Sequence, residues 1–268
     1  MQTNEKIIAL GVGRKGSQVV GEMLGKVEIV EFADVRFQAS FEIMMLGKTP
    51  LAFNVLNVDE CKEIIDENFL NSDLIFVIGG SPLTPYMAKA AKEAGKLTIV
   101  IALTNNEELK ATLKEVSDAL ISFDENISWD EQIKLSQNVV EAIANLITKS
   151  GFVNLDFEDI KAILQDTGTA FLGTGYAEGD NRAKIAALQA INMCIELKNA
   201  KRILLNITTG SEVSLSEMSD AAEIIKLAVA PYAQVIWGHV IDDDMGKDLQ
   251  VTFIAGMGNK RSVPIQDI

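Results

Sequence analysis

Short runs of apolar residues that end in glycine or polar turns place the strongest constraint on the fold of this chain. They lie at residues 6–10 (KIIAL), 73–78 (DLIFVI) and 97–103 (LTIVIAL). Runs without polar alternation are typical of strands that are buried on both faces of a parallel sheet. Helix-forming stretches follow the first two runs, at 17–24 and 85–94. This order of strand, turn and helix predicts an α/β fold built from βαβ units.

The remaining elements follow from periodicity. Residues 129–147 form a long amphipathic stretch, which predicts a central helix. Further strands are predicted at 27–32, 51–56, 169–174, 202–207, 235–241 and 249–255, and further helices at 156–164, 181–197 and 214–228. Asp156 is the expected N-cap of one helix, and Ser214 with Glu217 forms the capping box of another. We expect the last two strands to form a pair across the acidic turn 242–244.

Composition excludes several classes of function. The chain has 38 acidic and 24 basic residues and a net charge of −14, which disfavours nucleic acid as a partner. No apolar run approaches the ~20 residues of a membrane span, and the N-terminus has no secretory signal pattern. We therefore expect a cytoplasmic protein without membrane insertion. The single histidine, His239, excludes a multi-histidine metal site, and we expect it to be structural.

Residues 11–17 (GVGRKGS) fit the pattern G-x-G-x-x-G between a predicted strand and a predicted helix. Such glycines allow a tight turn and a close approach of the backbone to a phosphate at the helix N-terminus. Glu31 lies 20 residues after Gly11, where a ribose-binding acid stands in a dinucleotide fold. Two interpretations stay open from this pattern: a phosphate loop, and a tight turn that binds no ligand.

Four segments of the second half resemble the FtsZ branch of the tubulin superfamily. They read FVNLDFEDI (152–160), GTAFLGTGYAEGDNRA (168–183), LLNITTGSEVSLSEMSDAAEII (204–225) and IWGHVIDDDMGKDLQVTFIAGM (236–257). They occur in the order of the family and cover residues 151–258 almost without gaps. In the first half the resemblance is looser and rests on residues 11–20, 53–59 and 116–123.

The resemblance implies a tubulin/FtsZ-like architecture. A parallel-sheet nucleotide-binding domain would span residues 1–126, a central helix 127–150, a smaller α/β C-terminal domain 151–260 and a tail 261–268. Members of the family bind GTP or GDP and stack head to tail into filaments. A loop of one subunit completes the GTP site of the next, and here that loop would carry the catalytic residues Asn154, Asp156 and Asp159. Hydrolysis would also require Mg²⁺. The alternative, which can hold at the same time, is that Asp156 and Asp159 only cap a helix.

The resemblance also assigns a nucleotide site, in which several positions depart from the family pattern. The nucleotide-binding residues would be Gly11, Gly13, Arg14, Lys15, Gly16, Ser17, Gln18, Asn57, Asp59, Gly79, Gly80, Ser81 and Trp129. Residues 79–85 (GGSPLTP) replace a longer glycine-rich run, and prolines lack the N–H groups that bind phosphate. The position of a guanine-reading asparagine falls at Ile133, and Trp129 falls near a base-stacking aromatic.

Three functions are compatible with these observations. The first is a filament protein that binds GTP and hydrolyses it slowly, since phosphate donors are missing. The second is a structural or regulatory relative that has lost GTP binding and assembles with itself or with a related FtsZ-like filament. The third, which leaves the second-half resemblance unexplained, is a dinucleotide-dependent oxidoreductase. Cell division is the process of the family, but we expect no standard division-ring role for the chain alone, because it lacks a long C-terminal linker.

Overall fold

The computed structural model describes residues 6–23, 30–37, 51–55, 59–69, 71–124 and 126–258. Within these residues the strands form one ten-stranded sheet in the order β3-β2-β1-β4-β5-β6-β7-β10-β8-β9. The elements of the first half are β1 (Ile7–Val12), α1 (Gly13–Met23), β2 (Val30–Phe37), β3 (Leu51–Val55), α2 (Asp59–Asn68), β4 (Leu74–Gly79), α3 (Thr84–Glu93), β5 (Leu97–Ala102), α4 (Glu107–Val116) and β6 (Ala119–Ser122). The elements that follow are α5 (Trp129–Thr148), α6 (Phe157–Leu164), β7 (Gly168–Ala177), α7 (Arg182–Asn192), β8 (Arg202–Thr209), α8 (Leu215–Ala228), β9 (Gln234–Ile241) and β10 (Leu249–Gly256).

The strands from β3 to β7 are all parallel to their neighbours, which confirms the predicted parallel sheet. From β1 the chain adds β2 and β3 on one side, and it then returns to add β4, β5 and β6 on the other. The strand order therefore reverses between β1 and β4. In open α/β sheets, a crevice forms at this point, outside the carboxyl ends of the two strands.

Both faces of the sheet are covered, which explains the continuous apolar runs. In β4, Leu74, Phe76 and Ile78 pack in a cluster that contains residues of α1, α5 and α6. Ile75 and Val77 point the other way, into a cluster with residues of α2, α3 and α4. All five side chains are 0% exposed. A strand between two layers of helices has no solvent-facing side, so polar alternation is absent.

Helix α5 confirms the predicted central helix. Its N-cap is Ser128, whose side chain accepts a hydrogen bond from the Glu131 N–H at 3.2 Å. With 20 residues it is ~30 Å long at 1.5 Å per residue. One face lies in the core of the first cluster. No helix in the described ranges is long and apolar enough to cross a membrane.

The predicted pairing of the last two strands is wrong. β9 pairs in parallel with β8, and β10 pairs antiparallel with both β7 and β8. β8 therefore lies between β9 and β10, so the acidic turn 242–244 crosses over the end of β8. Alternating burial fixes that a strand exists, but it does not fix which strand becomes its neighbour.

Helix boundaries differ from the prediction in two further places. α7 ends at Asn192, before the predicted end at 197, and a 3₁₀ turn follows at Ile195–Asn199. Cys194 and Leu197 are buried at a spacing that an α-helix would also show, so periodicity alone does not reveal the break. Helices α2 and α4 are absent from the sequence prediction. In α4 only Leu113 is fully buried, which leaves its apolar stripe too short to stand out.

Candidate functional site

The two predicted phosphate loops meet at the carboxyl edge of the parallel sheet. Val12 and Gly79, the last residues of β1 and β4, are paired in register. A Cβ atom added to Gly13 would lie 3.0 Å from the Cβ of Ser81. The start of α1 and the loop after β4 are therefore in contact at the point where the strand order reverses.

The glycines of the first loop are required by backbone packing. A Cβ on Gly11 would lie 2.7 Å from the Gly16 carbonyl oxygen, and one on Gly16 would lie 2.0 Å from the Ile78 carbonyl oxygen. Gly13 has φ +72°, a conformation that favours glycine. The chain needs these glycines to set the helix against β1 and β4, whether or not a ligand binds.

Helix α1 begins at Gly13 and not at the predicted residue 17. Arg14 and Lys15 consequently lie in its first turn, where both are exposed, and that turn has no acidic residue. The first N–H groups of a helix are unpaired and carry partial positive charge, so cations there are unfavourable unless an anion is bound nearby. These backbone groups and side chains fit a phosphate. Ser17 Oγ instead donates to the Gly13 carbonyl at 2.8 Å.

The second loop offers fewer donors. The Ser81 N–H donates to Thr84 Oγ1 at 3.1 Å, and Pro82 and Pro85 have no N–H. A Cβ on Gly79 would lie 2.6 Å from the Val12 carbonyl oxygen, and one on Gly80 would lie 2.5 Å from the Leu103 carbonyl oxygen. These glycines also serve close packing. A phosphate at this edge would thus depend mainly on α1.

The region where a base would lie is bordered by Trp129. This side chain is half-buried, and the Lys15 Nζ stands 5.3 Å from the centroid of its ring. Ile133, one turn further along α5, is 9% exposed and packs in the core. It offers no hydrogen-bonding group for reading a guanine edge. Gln18 is exposed on α1.

The other residues predicted at this edge are placed less fully. Asn57 lies outside the described residues, and Asp59 is the first residue of α2. The prediction for Glu31 is wrong in its position: Glu31 pairs with Ile8 near the amino end of β2, whereas Gly11 pairs with Asp34. This strand extends to Phe37 and not to residue 32. Glu31 is therefore ~10 Å along the strand from the level of the glycine loop, which does not suit a ribose-binding acid.

The predicted catalytic residues lie at the start of α6: Asn154 and Asp156 precede the helix, and Asp159 is in its first turn. The Asn154 Oδ1 accepts a hydrogen bond from the Gly151 N–H at 2.9 Å. Asp156 Oδ1 accepts from the Asp159 N–H at 2.8 Å, and Asp159 Oδ2 accepts from the Asp156 N–H at 3.2 Å. This reciprocal pair is a capping box, which confirms Asp156 as an N-cap. One oxygen of each carboxylate is used for capping.

The Asn154–Asp159 segment stands at the end of the sheet opposite to the glycine loops. Asp156 and Glu158 line a cleft of about 490 Å³ together with Asp73 and Lys96, which directly precede β4 and β5. Gly79 ends β4 and Gly80 follows it, and the six residues of this strand span ~20 Å. Within one subunit, Asp156 cannot reach the glycine loops.

A buried histidine that the sequence analysis treats only as structural fastens this segment. His239 is 1% exposed, and its Nδ1 accepts from the Phe152 N–H at 3.1 Å. Its ring stacks on Phe152 with 5.4 Å between centroids. The backbone N–H of His239 donates to the Val153 carbonyl at 2.8 Å. Burial lowers the pKa of His239. No pattern in the sequence connects residues 152 and 239.

Sequence reasoning also missed the role of Arg182, which joins three loops of the second half. Arg182 is 8% exposed, and its guanidinium donates from Nε to Glu217 Oε1 at 2.9 Å. It also donates to the carbonyls of Glu212 and Lys247. The Arg182 guanidinium lowers the pKa of Glu217. Glu217 also completes the predicted capping box with Ser214. This capping box was the feature of the sequence that drew attention to Glu217, the partner of Arg182.

Comparisons with known proteins find similarity to FtsZ and to related proteins. A sequence profile described as FtsZ family, C-terminal domain, matches residues 168–258. The cell division protein FtsZ of Coxiella burnetii is 29% identical over 310 positions that cover 96% of this chain and 80% of the relative. Because this chain has 268 residues, the relative carries segments without a counterpart here.

Solved structures show the same fold. The empty FtsZ dimer of M. jannaschii superimposes with a TM-score of 0.81 at 21% identity, covering 95% of this chain and 88% of that one. The GDP-bound monomer of CetZ1 from Haloferax volcanii gives 0.71 at 15% identity, covering 96% and 95%. The predicted tubulin/FtsZ-like fold is confirmed. The chain therefore has a tubulin/FtsZ-like fold, and its residues 168–258 are similar to the C-terminal domain of the FtsZ family.

Proposed function

We propose that this protein is an FtsZ-like cytoskeletal protein whose subunits assemble head to tail, with a guanine nucleotide held between them. The observation that carries this proposal is the placement of the two predicted half-sites at opposite ends of the sheet. The glycine loops follow β1 and β4, whereas Asp156 stands beside residues that precede β4 and β5. Two such halves can meet only between subunits. A contact of this kind does not close on itself, so it propagates as a filament.

In this proposal the nucleotide phosphates lie at the N-terminus of α1. The N–H groups of the first turn would bind them, with Gly11, Gly13 and Gly16 permitting the close approach. Arg14 and Lys15 would supply charge-assisted donors in place of those missing from residues 79–85. Asn57, Asp59 and Ser81 would complete the wall, and Trp129 would contact the base. Mg²⁺ bound through the phosphates would neutralise charge.

The loop of the next subunit would complete hydrolysis. Asn154, Asp156 and Asp159 would face the terminal phosphate and orient a water. Because the capping box uses only one oxygen of each carboxylate, capping and orientation of a water are compatible. Turnover should be slow, because few donors are available to stabilise developing charge. The relative from Coxiella is named a cell division protein, and we propose that this chain acts in the same process, in a role other than that of the standard division ring.

A second candidate is a filament protein that assembles without nucleotide, alone or with a related FtsZ-like filament. It is favoured by the internal use of the Ser81 N–H and by the burial of Ile133. The third candidate, a dinucleotide-dependent oxidoreductase, has no suitably placed ribose-binding acid, because Glu31 pairs near the amino end of β2. We retain the first two for experiment.

Released nucleotide separates the two remaining candidates. The protein is purified under mild conditions and denatured, and the released nucleotide is identified by chromatography. About one guanine nucleotide per chain supports the proposal, and a chain that stays empty after addition of GTP and Mg²⁺ supports the second candidate. Pelleting with and without GTP then measures assembly. A protein that remains monomeric in both conditions contradicts both.

The catalytic part of the proposal is tested by Asp156→Asn. Asparagine is as good an N-cap as aspartate, so this variant keeps the helix start and loses the carboxylate. We expect assembly to persist while GTP turnover per assembled subunit falls by roughly 10²-fold or more. Ser128→Asn, which exchanges the N-cap of α5, is the matched control and should retain turnover. Unchanged turnover in Asp156→Asn removes the carboxylate from the mechanism.

A further inference from the structure

The segment that carries Asn154 and Asp156 is fastened to the rest of the molecule by one side chain and the strand that bears it. The N–H of Ile241 donates to the Ser150 carbonyl at 3.2 Å, and that of His239 donates to the Val153 carbonyl at 2.8 Å. Between these two backbone contacts, the imidazole of His239 accepts from the Phe152 N–H at 3.1 Å. Residues 150–153 thus run alongside β9 and are hydrogen-bonded to it at two positions.

The hydrogen bonds determine the tautomer of the ring. Nδ1 accepts a hydrogen bond from the Phe152 backbone N–H, so it carries no hydrogen of its own. Nε2 stands 2.9 Å from Thr209 Oγ1, and that hydroxyl donates its proton to the Gly210 carbonyl at 2.8 Å. The hydroxyl must therefore accept from Nε2–H. The neutral Nε2–H form satisfies every group in this chain of hydrogen bonds.

The backbone of Gly151 lies directly against His239. A Cβ on Gly151 would lie 1.8 Å from the His239 carbonyl oxygen and 3.1 Å from Nδ1. The Phe152 ring covers one face of the imidazole at an interplanar angle of 22°, while Phe152 itself is 56% exposed. The contact is therefore close at the backbone and open to solvent on the far side of Phe152.

We propose that His239 in its neutral form is the positioning residue for the Asn154–Asp159 segment, and that protonation of its Nδ1 releases this segment. A protonated Nδ1 would direct N–H against the Phe152 N–H, so the hydrogen bond would be lost and two donors would face each other. The same segment carries the residues that are proposed to complete the nucleotide site of the next subunit. The consequence for turnover rests on the proposed function; the local contact does not.

In the part of the chain that the structure describes, no charged side chain hydrogen-bonds the ring of His239. The groups that bond the ring are Thr209 from β8 and the backbone of residue 152, and the segment 150–153 contains no ionisable side chain. Lys149 and Asp242, which flank the segment and the strand, pair with each other at 2.9 Å. Burial is the cause that lowers the pKa of His239 below 6.5. The ring is thus neutral at pH 7. We expect the Asn154–Asp159 segment to be released as the pH falls below 6.5.

Amide hydrogen exchange on the full chain, without nucleotide and at a concentration too low for assembly, tests the local contact. Rates are corrected for the intrinsic effect of pH, and a peptide that covers residues 150–156 is compared with one from β5. In the wild type, protection of the segment should fall by up to about tenfold per pH unit below pH 6.5, since one proton is taken up on opening. The β5 peptide should change less.

Two substitutions separate positioning from general stability. His239→Asn places an oxygen acceptor near the position of Nδ1 but cannot be protonated, so the segment should stay protected at all pH values. His239→Ala should lose at least tenfold of the protection already at pH 7.5. Phe152→Leu, which removes the stacked ring and keeps the N–H bond, should retain the pH dependence. Protection in the wild type that does not change with pH, or equal loss in both His239 variants at pH 7.5, overturns the inference.

Turnover gives a separate readout. If GTP is hydrolysed, turnover per assembled subunit should fall at acidic pH in the wild type and stay flat in His239→Asn. If neither protein binds GTP, the proposed function fails, while the exchange data still decide the positioning role. If hydrogen exchange in the wild type depends on pH and turnover does not, the link between His239 and the nucleotide site is contradicted.

Discussion

The glycine edge and the Asn154–Asp159 segment are built by different physical means. At the glycine edge, α1 lies directly on the ends of β1 and β4, with backbone atoms so close that no Cβ fits at Gly16. At the opposite end, side chains add to two backbone hydrogen bonds with β9: His239 bonds the Phe152 N–H, and Asp156 and Asp159 form a reciprocal pair. Backbone packing at the glycine edge leaves no room for a graded change. The side-chain hydrogen bonds of the segment can be weakened one at a time, by a single proton or a single substitution.

The largest effect is expected at the glycine edge. Gly16→Ala places a Cβ 2.0 Å from the Ile78 carbonyl oxygen, so α1 must move away from the sheet. We expect a loss of roughly 3–5 kcal/mol in the free energy of unfolding, measured by denaturant titration. Gly21→Ala in the same helix is the matched control. It meets no atom within 4 Å and should be neutral or more stable by about 0.5–1 kcal/mol. Equal effects of both would show that close packing does not define this edge.

The next effect concerns the loops that Arg182 joins. Glu217→Gln keeps a residue suited to the capping box and removes the charge that faces the Arg182 guanidinium. Because Glu217 is about one-third exposed, we expect only about 1–2 kcal/mol lost at pH 7. The guanidinium lowers the pKa of Glu217 below 4.5, so its contribution is present above that value and fades as the pH falls. The unfolding free energies of the wild type and of Glu217→Gln are measured at pH 7 and at pH 3. If the difference between the two proteins does not become smaller at pH 3, the ion pair does not contribute as described.

A smaller effect is expected at the carboxylate segment. Asp156→Ala removes the N-cap of α6 and should cost about 1 kcal/mol, whereas Asp156→Asn should cost only a few tenths. The comparison uses thermal unfolding of both variants under one buffer condition. A loss in the asparagine variant as large as that in alanine would mean that charge, and not capping, sets the stability of this end of the molecule.

The smallest effect should be that of Lys15. Its ammonium lies 5.3 Å from the centroid of the Trp129 ring, a contact worth about 0.5–1 kcal/mol at an exposed site. Lys15→Gln should therefore change the unfolding free energy by less than 1 kcal/mol. If the α1 edge binds phosphate, the same variant should weaken nucleotide affinity by about tenfold, measured by calorimetry against Lys89→Gln as a surface control. Unaltered affinity would leave phosphate binding to the backbone and Arg14.

Local sequence patterns predicted most of the elements because each depends on neighbours in the chain. The apolar runs of β1, β4 and β5, the stripe of α5, and the caps at Asp156 and Ser214 are all found in the structure. The start of α1 was misplaced because glycine has low helix propensity, and tertiary packing of Gly16 on Ile78 overrides it. The pairing of β9 was missed since strand neighbours are set by the whole sheet.

Local patterns are enough to predict a parallel α/β chain with a long central helix and with second-half segments that resemble the FtsZ family. The fold was needed to show that Glu31 lies at the wrong end of its strand for a ribose, and that Asp156 stands a full strand length from the glycine loops. It alone brought His239 to Phe152 across 87 residues of sequence. The reason is physical: caps and apolar periodicity depend on residues a few positions apart, whereas register, strand order and buried hydrogen bonds depend on how distant segments share one core.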